Sequence, residues 1–366
     1  MAGSNTGFHE IAGQETASRM LAAAVTRDRA SHAYLFIGPE GAGKLAAALE
    51  LAAALCCEAG GCGRCGSCLK VRRGTHPDVE VISPVGAFIT VEQIRQVNRS
   101  LYLFPGESRA RVFIITDATA FNAESANAFL KTLEEPPGFV KFIIMADRGD
   151  RVLPTIVSRC QTIRFDPVRP AVIGERLERE FAVSATMAQT YAAISGGNLT
   201  LAESFCRDQD LRNRRERYIE IGMELARGEG EPQALATELL AMAEKVGDAA
   251  ADGREEPPEG FAEAGARQRQ QDAHRSATAA RKRELDQALQ VLQSWFRDMM
   301  VVASGAPEVI TNRDYELELE QEALESRSGD YRRAAEAVNA ARRKLGYNID
   351  LELALLALFN QLQEVM

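Results

Sequence analysis

Two clusters of residues near the start of the chain have the types and spacing that chemistry requires. The segment FIGPEGAGKL, residues 36–45, places Gly38, Gly43 and Lys44 at the spacing of a phosphate-binding loop. The segment CCEAGGCGRCGSC, residues 56–68, follows closely and contains five cysteines. The first cluster predicts a loop that surrounds a nucleotide phosphate, and the second predicts a metal site.

The phosphate loop lacks one residue that hydrolysis requires, and so does a later motif. Leu45 stands where a Ser or Thr hydroxyl would coordinate magnesium. In RVFIITDATA, residues 111–120, Asp117 is followed by Ala118, where a carboxylate would be needed to act on water. Two losses in separate motifs indicate a loop kept for its shape. ATP hydrolysis is therefore not expected, and ATP binding is doubtful.

The cysteine cluster predicts a structural zinc site. Cys57, Cys62, Cys65 and Cys68 are separated by four, two and two residues, and they offer the four thiolates of a tetrahedral zinc site. Four sulfur ligands leave no open coordination position, so the metal would be structural. The spacing leaves open whether Cys56 or Cys57 is the first ligand. Free thiols or a redox pair are the alternative.

The elements around these clusters predict an α/β domain over residues 1–166. Thr90 and Gln93 have the spacing of a capping box at a helix start. Strand-like runs alternate with helical patterns, which predicts a parallel sheet with helices on both faces and the cysteine module at about 57–68. The apolar runs that predict buried strands are Ala33–Gly38, Val79–Ser83, Arg111–Thr116 and Lys141–Ala146.

The rest of the chain predicts helices. Residues 167–207 form one helical region with a break at 195–198, and residues 208–366 form another. Residues 247–276 are rich in Gly, Ala, Gln and charge, which predicts a flexible insertion or, in their second half, an exposed helix. Four leucines at helical spacing predict packing within the chain or against a partner: Leu351, Leu355, Leu358 and Leu362.

The composition is that of an ordinary globular protein of two or three domains, with 366 residues, 46% hydrophobic and 26% charged. The net charge of −9 argues against a free-standing nucleic-acid binder, including a zinc-dependent one, which would need a basic surplus. The first residues have no signal-peptide pattern, and no apolar run reaches the roughly 18 residues of a membrane span. A cytoplasmic location without membrane contact is expected, where cysteines are ligands or thiols rather than disulfides.

Several motifs together resemble the clamp-loader subunits of bacterial DNA polymerase III, which belong to the AAA+ class. The resemblance covers residues 8 to about 200 and implies an AAA+ fold, a small helical lid at 167–207 and an all-α collar for oligomerisation at 208–366. It also implies that Cys57, rather than Cys56, is the first zinc ligand. The motifs are SHAYLFIGPEGAGK, the cysteine insertion, THPDV, TDATAFNAESANAFLKTLEEPP and PTIVSRC.

The absence of these hydrolytic residues resembles the pattern of one branch of that family. Hydrolysing gamma/tau subunits keep the magnesium hydroxyl, an Asp-Glu motif and a sensor arginine, near where this chain has Thr200. The delta-prime subunits, which this chain resembles more, do not hydrolyse ATP. The resemblance implies a ring member without independent catalysis. Such a subunit assembles with gamma/tau and delta subunits and helps load the sliding clamp on primed DNA. An ATP-hydrolysing gamma/tau-type subunit is the alternative.

One arginine is implied to act on a neighbouring subunit. Ser158-Arg159-Cys160 resembles the element that projects an arginine into the ATP site of the next subunit. The resemblance implies that Arg159 is an arginine finger in trans, and the alternative is an ordinary salt-bridged arginine. In LKTLEEPP, Lys131 is expected to be a solvated lysine paired with Glu134 or Glu135, and the alternative is a lysine that faces DNA or a phosphate.

Overall fold

The structure is a computed structural model of the 366-residue chain. Among the described residues, no helix is both long and apolar enough to cross a membrane. The described residues are 8, 11–85, 88–252, 266–325, 329–345 and 350–366.

The chain divides into two compact units. The first combines Met1–Ile173 with Ser195–Leu201, and the second combines Gly174–Ile194 with Ala202–Met366. The division into an α/β domain, a lid and a collar stays a prediction.

A five-stranded parallel sheet forms the centre of the first unit, with the strand order β2-β3-β4-β1-β5. The predicted α/β class is confirmed, and the four predicted runs are strands β1 to β4. The fifth strand is one that the sequence patterns do not indicate. The strands are β1 Ala33–Ile37, β2 Val79–Ile82, β3 Arg111–Ile115, β4 Val140–Ala146 and β5 Gln161–Arg164.

Apolar cores cover both faces of this sheet because successive strand residues point to opposite sides. Tyr34 and Phe36 of β1 belong to one core, and Ala33 and Leu35 belong to the other. Continuous apolar strands are therefore required, as the sequence shows. The helices of this part of the chain are α1 Glu15–Thr26, α2 Lys44–Cys56, α3 Gly66–Arg72, α4 Val91–Ser100, α5 Ala123–Glu134 and α6 Pro154–Val157.

The predicted start of α4 has the geometry of a capping box. The Thr90 hydroxyl accepts the Gln93 backbone N–H at 3.2 Å, and the Gln93 side chain accepts the Thr90 backbone N–H at 2.9 Å. Each partner satisfies a backbone donor that the first turn of a helix leaves unpaired.

The remaining helices form most of the second unit, and those from residue 209 onward share a core that contains Trp295, Phe296 and Phe359. Leu355, Leu358 and Leu362 are buried in this core, so the C-terminal leucine stripe packs within the chain. The helices are α7 Pro170–Phe181, α8 Ala185–Ile194, α9 Leu199–Arg207, α10 Gln209–Arg227, α11 Pro232–Asp252, α12 Ala266–Ala303, α13 Glu316–Glu325, α14 Tyr331–Lys344 and α15 Leu351–Val365.

The segment 247–276, for which composition predicts a flexible insertion, is helical at both its ends. Residues 247–252 complete α11, and residues 266–276 begin α12. The two helices approach closely at Gly247, where a Cβ atom would lie 2.9 Å from the carbonyl oxygen of Ala277. Helix packing therefore extends into the low-complexity sequence, and residues 253–265 lie outside the described part of the chain.

Candidate functional site

The phosphate-type loop begins where β1 ends and lies between two neighbouring strands. The Gly38 N–H donates to the Ala146 carbonyl at 3.1 Å, and the Phe165 N–H donates to the Ile37 carbonyl at 2.7 Å. A Cβ atom at Gly38 would lie 2.2 Å from the Phe165 carbonyl oxygen, so only glycine fits there. Gly43 has φ +88° immediately before α2, a conformation that also favours glycine. The strand, loop and helix predicted from the sequence are all present.

Lys44 is held by groups of its own chain. Its Nζ atom lies 2.6 Å from Asp147 Oδ1, donates to the Pro39 carbonyl at 2.9 Å and also contacts the Gly38 carbonyl. The Lys44 side chain is 9% exposed, whereas that of Asp147 is 64% exposed. The ammonium that would face a phosphate is thus already paired.

Sequence reasoning missed Asp147, although the strands carry a signal for it. β1 and β4 pair in parallel with Ile37 opposite Ala146. The residues that follow, Gly38 and Asp147, must therefore lie at the same edge of the sheet. A carboxylate directly after a neighbouring parallel strand is placed to reach the lysine of the loop.

Hydrogen bonds from Gln14 also stabilise the loop, and Gln14 is a second residue that the sequence patterns do not indicate. The Gln14 amide donates to the Ala42 carbonyl at 3.0 Å and to the Asp166 carbonyl at 2.6 Å, and it accepts the Asp166 N–H at 3.2 Å. On the other side, the Leu199 N–H donates to the Gly41 carbonyl at 3.1 Å. These bonds hold the loop in one conformation.

The two positions that hydrolysis would need hold no suitable group. Leu45 lies in the first turn of α2 with 47% of its surface exposed, and it offers no ligand to magnesium. Asp117 caps a short 3-10 turn, accepting the Thr119 N–H at 2.8 Å and its hydroxyl at 2.7 Å. Ala118 is buried and has no carboxylate. The carboxylate of Asp117 is therefore used for local structure.

Four of the five clustered cysteines come together. The Sγ atoms of Cys57, Cys62, Cys65 and Cys68 all lie within 4.8 Å of one another. Cys57 Sγ lies 3.7 Å from Cys62 Sγ and 3.6 Å from Cys65 Sγ. Four thiolates at about 2.3 Å from a tetrahedral zinc ion are about 3.8 Å apart. The cluster can hold a metal ion, and both its donor set and its spacing fit zinc.

Local backbone geometry favours the thiolate form at two of the four cysteines, whereas burial raises the pKa of Cys68. Burial by itself would raise the pKa of Cys57, but the N–H groups of Cys62, Gly61 and Ala59 outweigh it and lower that pKa to about 6. The N–H groups of Arg64 and Cys65 lower the pKa of Cys62. A thiolate is the form that binds a metal.

Cys56 is excluded from the cluster by its position on α2. Its thiol points to the Ala110 carbonyl, with 3.7 Å between Sγ and O, and burial raises its pKa to about 11. Because Cys57 is the cap residue that ends α2, its sulfur points instead toward the cysteine loop. The sulfur that joins the cluster is therefore that of Cys57 and not that of Cys56.

Arg159 lies in the turn after α6 and is paired with a carboxylate. Its guanidinium donates Nε–H to Glu134 Oε1 at 2.9 Å, and a second nitrogen contacts the same oxygen. It also donates to the Thr155 carbonyl at 2.9 Å, and the side chain is 32% exposed. The pairing expected for Lys131 is wrong, because Arg159 occupies Glu134 and Lys131 forms no ion pair within the described part of the chain.

Comparison with known proteins agrees with this geometry. Residues 13–169 match the family model described as DNA polymerase III, delta subunit. This part of the chain is similar to that family. The chain is 35% identical to DNA polymerase III subunit delta' of Bacillus subtilis over 211 residues, which is 57% of this chain and 64% of the relative. It is 35% identical to subunit delta' of Pseudomonas aeruginosa over 53% of this chain and 61% of the relative.

Two further proteins with polymerase III names are similar to this chain, one over a shorter part and one over nearly its whole length. Subunit gamma/tau of Mycobacterium tuberculosis is 34% identical over 47% of this chain and 31% of its own length. A gamma subunit-related protein of Thermotoga maritima superposes with a TM-score of 0.42 and 18% identity, over 95% of this chain and 98% of that one. The chain thus spans about three fifths of the length of the two delta' relatives and about a third of the gamma/tau relative.

Proposed function

We propose that this chain is a delta-prime-type subunit of the bacterial DNA polymerase III clamp loader, a cytoplasmic ring member that does not hydrolyse ATP. In this role it helps load the sliding clamp on primed DNA beside gamma/tau and delta subunits. One observation carries the proposal. The phosphate loop is built and braced, but Leu45 and Ala118 occupy the positions of the magnesium ligand and of the general base.

The chain's own residues support a structural use of the loop. Lys44 makes its contacts within the chain, to Asp147 and to two loop carbonyls. Gln14 bonds the loop to the end of β5. A braced loop preserves the shape of the AAA+ domain without the groups that phosphoryl transfer requires, and ATP binding by this chain would be weak.

The four cysteines would hold a structural zinc ion. Bound zinc would supply a cross-link between the end of α2 at Cys57 and the start of α3 at Cys65 and Cys68, with no open position for a substrate. The function of the metal would therefore be to fix the cysteine loop.

Arg159 would act on the ATP site of a neighbouring gamma/tau subunit. Its guanidinium is partly exposed, and its partner Glu134 has 47% of its side chain exposed, so the pair is open to solvent. A partly solvated ion pair holds its arginine weakly, whereas a phosphoryl group offers bidentate, charge-assisted hydrogen bonds. An arginine supplied in trans can change phosphoryl-transfer rates by roughly 10³–10⁵.

The test is ATP turnover by a complex reconstituted from this chain with gamma/tau, delta, the sliding clamp and primed DNA. We expect Arg159→Ala to remove at least the share of DNA-stimulated turnover that the adjoining site contributes. Arg148→Ala is the matched control, since Arg148 is another exposed arginine paired with a carboxylate, Asp150. Turnover by the purified chain alone would instead identify the ATP-hydrolysing gamma/tau type.

A further inference from the structure

The segment between α4 and β3 presents three large apolar side chains to solvent. Tyr102 is 72% exposed, Leu103 59% and Phe104 81%. Because these side chains are mostly exposed, the burial of apolar surface contributes little to the stability of this segment. Other contacts must therefore stabilise its conformation. Phe104 stacks on Phe139 with ring centroids 5.0 Å apart, which fixes one of the three.

The carboxylate of Asp78, just before β2, holds the C-terminal half of the segment. It accepts the N–H of Gly106 at 2.7 Å, the N–H of Glu107 at 2.9 Å and the hydroxyl of Ser108 at 3.0 Å. Asp78 is buried, so these three donors are what satisfies it. A buried carboxylate with three donors is a strong anchor for the backbone of residues 106–108.

A buried histidine connects this anchor to the cysteine module. The Asp78 N–H donates to His76 Nδ1 at 3.1 Å, so Nδ1 is the acceptor and the neutral ring carries its proton on Nε2. His76 Nε2 lies 3.0 Å from the hydroxyl of Ser67, which in turn donates to the Cys56 carbonyl at 3.4 Å. Ser67 lies on α3, between the cluster residues Cys65 and Cys68.

An ion pair makes a second connection between the same two parts. Lys70 Nζ, also on α3, lies 2.6 Å from Glu107 Oε2. Both side chains are nearly half exposed, so this pair contributes less than the buried bonds of His76 and Asp78. Helix α3 therefore reaches the segment directly at Glu107 and indirectly through His76.

We propose that the cysteine module, through Ser67, His76 and Asp78, holds residues 101–109 in place, so that metal binding and the conformation of this apolar segment are linked. The inference rests on the structural metal proposed above. Metal binding fixes the orientation of α3 and with it the position of Ser67. The free energy of local opening of residues 101–109 then contains part of the metal-binding free energy.

Hydrogen exchange on the full chain tests this linkage, with zinc content measured in parallel. Removing zinc with a chelator under reducing conditions is expected to speed exchange in residues 101–109 by about tenfold or more. Exchange in β3 and β4 is expected to stay unchanged. Equal protection of residues 101–109 with and without zinc would overturn the proposal, as would a chain that binds no zinc.

If the whole chain unfolds when zinc is removed, exchange rises everywhere and the chelator experiment cannot test the linkage. A variant that keeps the metal then provides the test. Ser67→Ala removes the link without removing a ligand. It is expected to retain zinc, to exchange several-fold faster in residues 101–109 and to keep β3 and β4 protected. Arg73→Ala, just beyond the end of the same helix, is the matched control and should behave like the unmodified chain in zinc content and exchange. Unchanged exchange in Ser67→Ala would overturn the proposal.

Discussion

The ammonium nitrogen of Lys44 lies 2.6 Å from Oδ1 of Asp147, directly beyond the paired ends of β1 and β4. The lysine of a phosphate loop has to face the phosphate, so this carboxylate competes with a nucleotide for the same cation. Asp147 is 64% exposed, and an ion pair with one solvated partner contributes no more than about 1 kcal/mol. Asp147 would therefore compete only weakly with a nucleotide, and removing its charge gives a measurable test.

Asp147→Asn is expected to tighten ATP binding by up to about fivefold without creating turnover, because it frees Lys44 but leaves Leu45 and Ala118 in place. Titration with a fluorescent nucleotide measures the affinity, and phosphate release measures the turnover. Asp150→Asn is the control, since Asp150 is exposed and pairs with Arg148 instead. Weaker binding in Asp147→Asn would contradict this account of the pair.

Leu45→Thr restores the hydroxyl that magnesium requires, yet hydrolysis is expected to stay at background. The reason is that Ala118 still provides no carboxylate to act on water. Leu45 is 47% exposed, so the substitution should change the free energy of unfolding by less than about 0.5 kcal/mol. Phosphate release by the purified variant in magnesium and ATP is the measurement. Turnover well above that of the unmodified chain would show that another group acts as the base.

Glu134→Gln is expected to lower the free energy of unfolding by less than about 1 kcal/mol, because the Arg159–Glu134 pair is partly solvated. In the reconstituted complex it should leave turnover unchanged or raise it, because Arg159 is released for the neighbouring site. Urea unfolding and ATP turnover are the two measurements, and Glu135→Gln at the next residue is the control. A loss of turnover equal to that of Arg159→Ala would mean that Glu134 positions the arginine.

The sequence predicted the local elements of the site but not the partners that complete them. Gly38, Gly43 and Lys44 define the loop because a glycine-rich turn between a strand and a helix is encoded in neighbouring residues. Asp147 and Gln14 come from distant parts of the chain, and only the strand order and register bring them to the loop. Contacts across a sheet depend on topology, which periodicity does not give.

The same distinction between local sequence and tertiary contacts explains the two places where the fold differs from the prediction. β5 is short and only one of its four residues, Ile163, is fully buried, so its sequence lacks the continuous apolar run of a central strand. The ends of the segment 247–276 are helical because α11 and α12 pack against each other, an interaction that low-complexity composition does not report. Tertiary packing overrides a weak local preference in both places.

The proposed role of Cys57 as a ligand leads to a paired prediction. Cys57→Ser is expected to reduce zinc content from about one ion per chain to a small fraction, because it removes one of four thiolates. Cys56→Ser should retain zinc, because the Cys56 sulfur lies against the Ala110 carbonyl, outside the cluster. A colorimetric assay of zinc released from the purified chains measures both variants. Equal loss of zinc in the two would contradict the assignment.

The carboxylate of Asp78 predicts a pH dependence of stability. Burial alone would raise the pKa of this carboxyl, but the N–H groups of Gly106 and Glu107 and the hydroxyl of Ser108 outweigh burial and lower it. A carboxyl whose folded pKa lies below its unfolded value of about 3.9 stabilises the folded state above that value. This contribution is lost as the pH falls through the folded pKa.

Asp78→Asn is accordingly expected to lower the free energy of unfolding at pH 7 by about 1–3 kcal/mol, because the amide cannot satisfy three donors as a carboxylate does. The difference from the unmodified chain should persist down to about pH 4 and shrink below it. Urea unfolding from pH 7 to pH 3 measures this difference. Glu107→Gln is the control, because its exposed carboxylate should show a smaller difference at pH 7. A difference for Asp78→Asn that grows as the pH falls would mean that the charged form of Asp78 does not stabilise this fold.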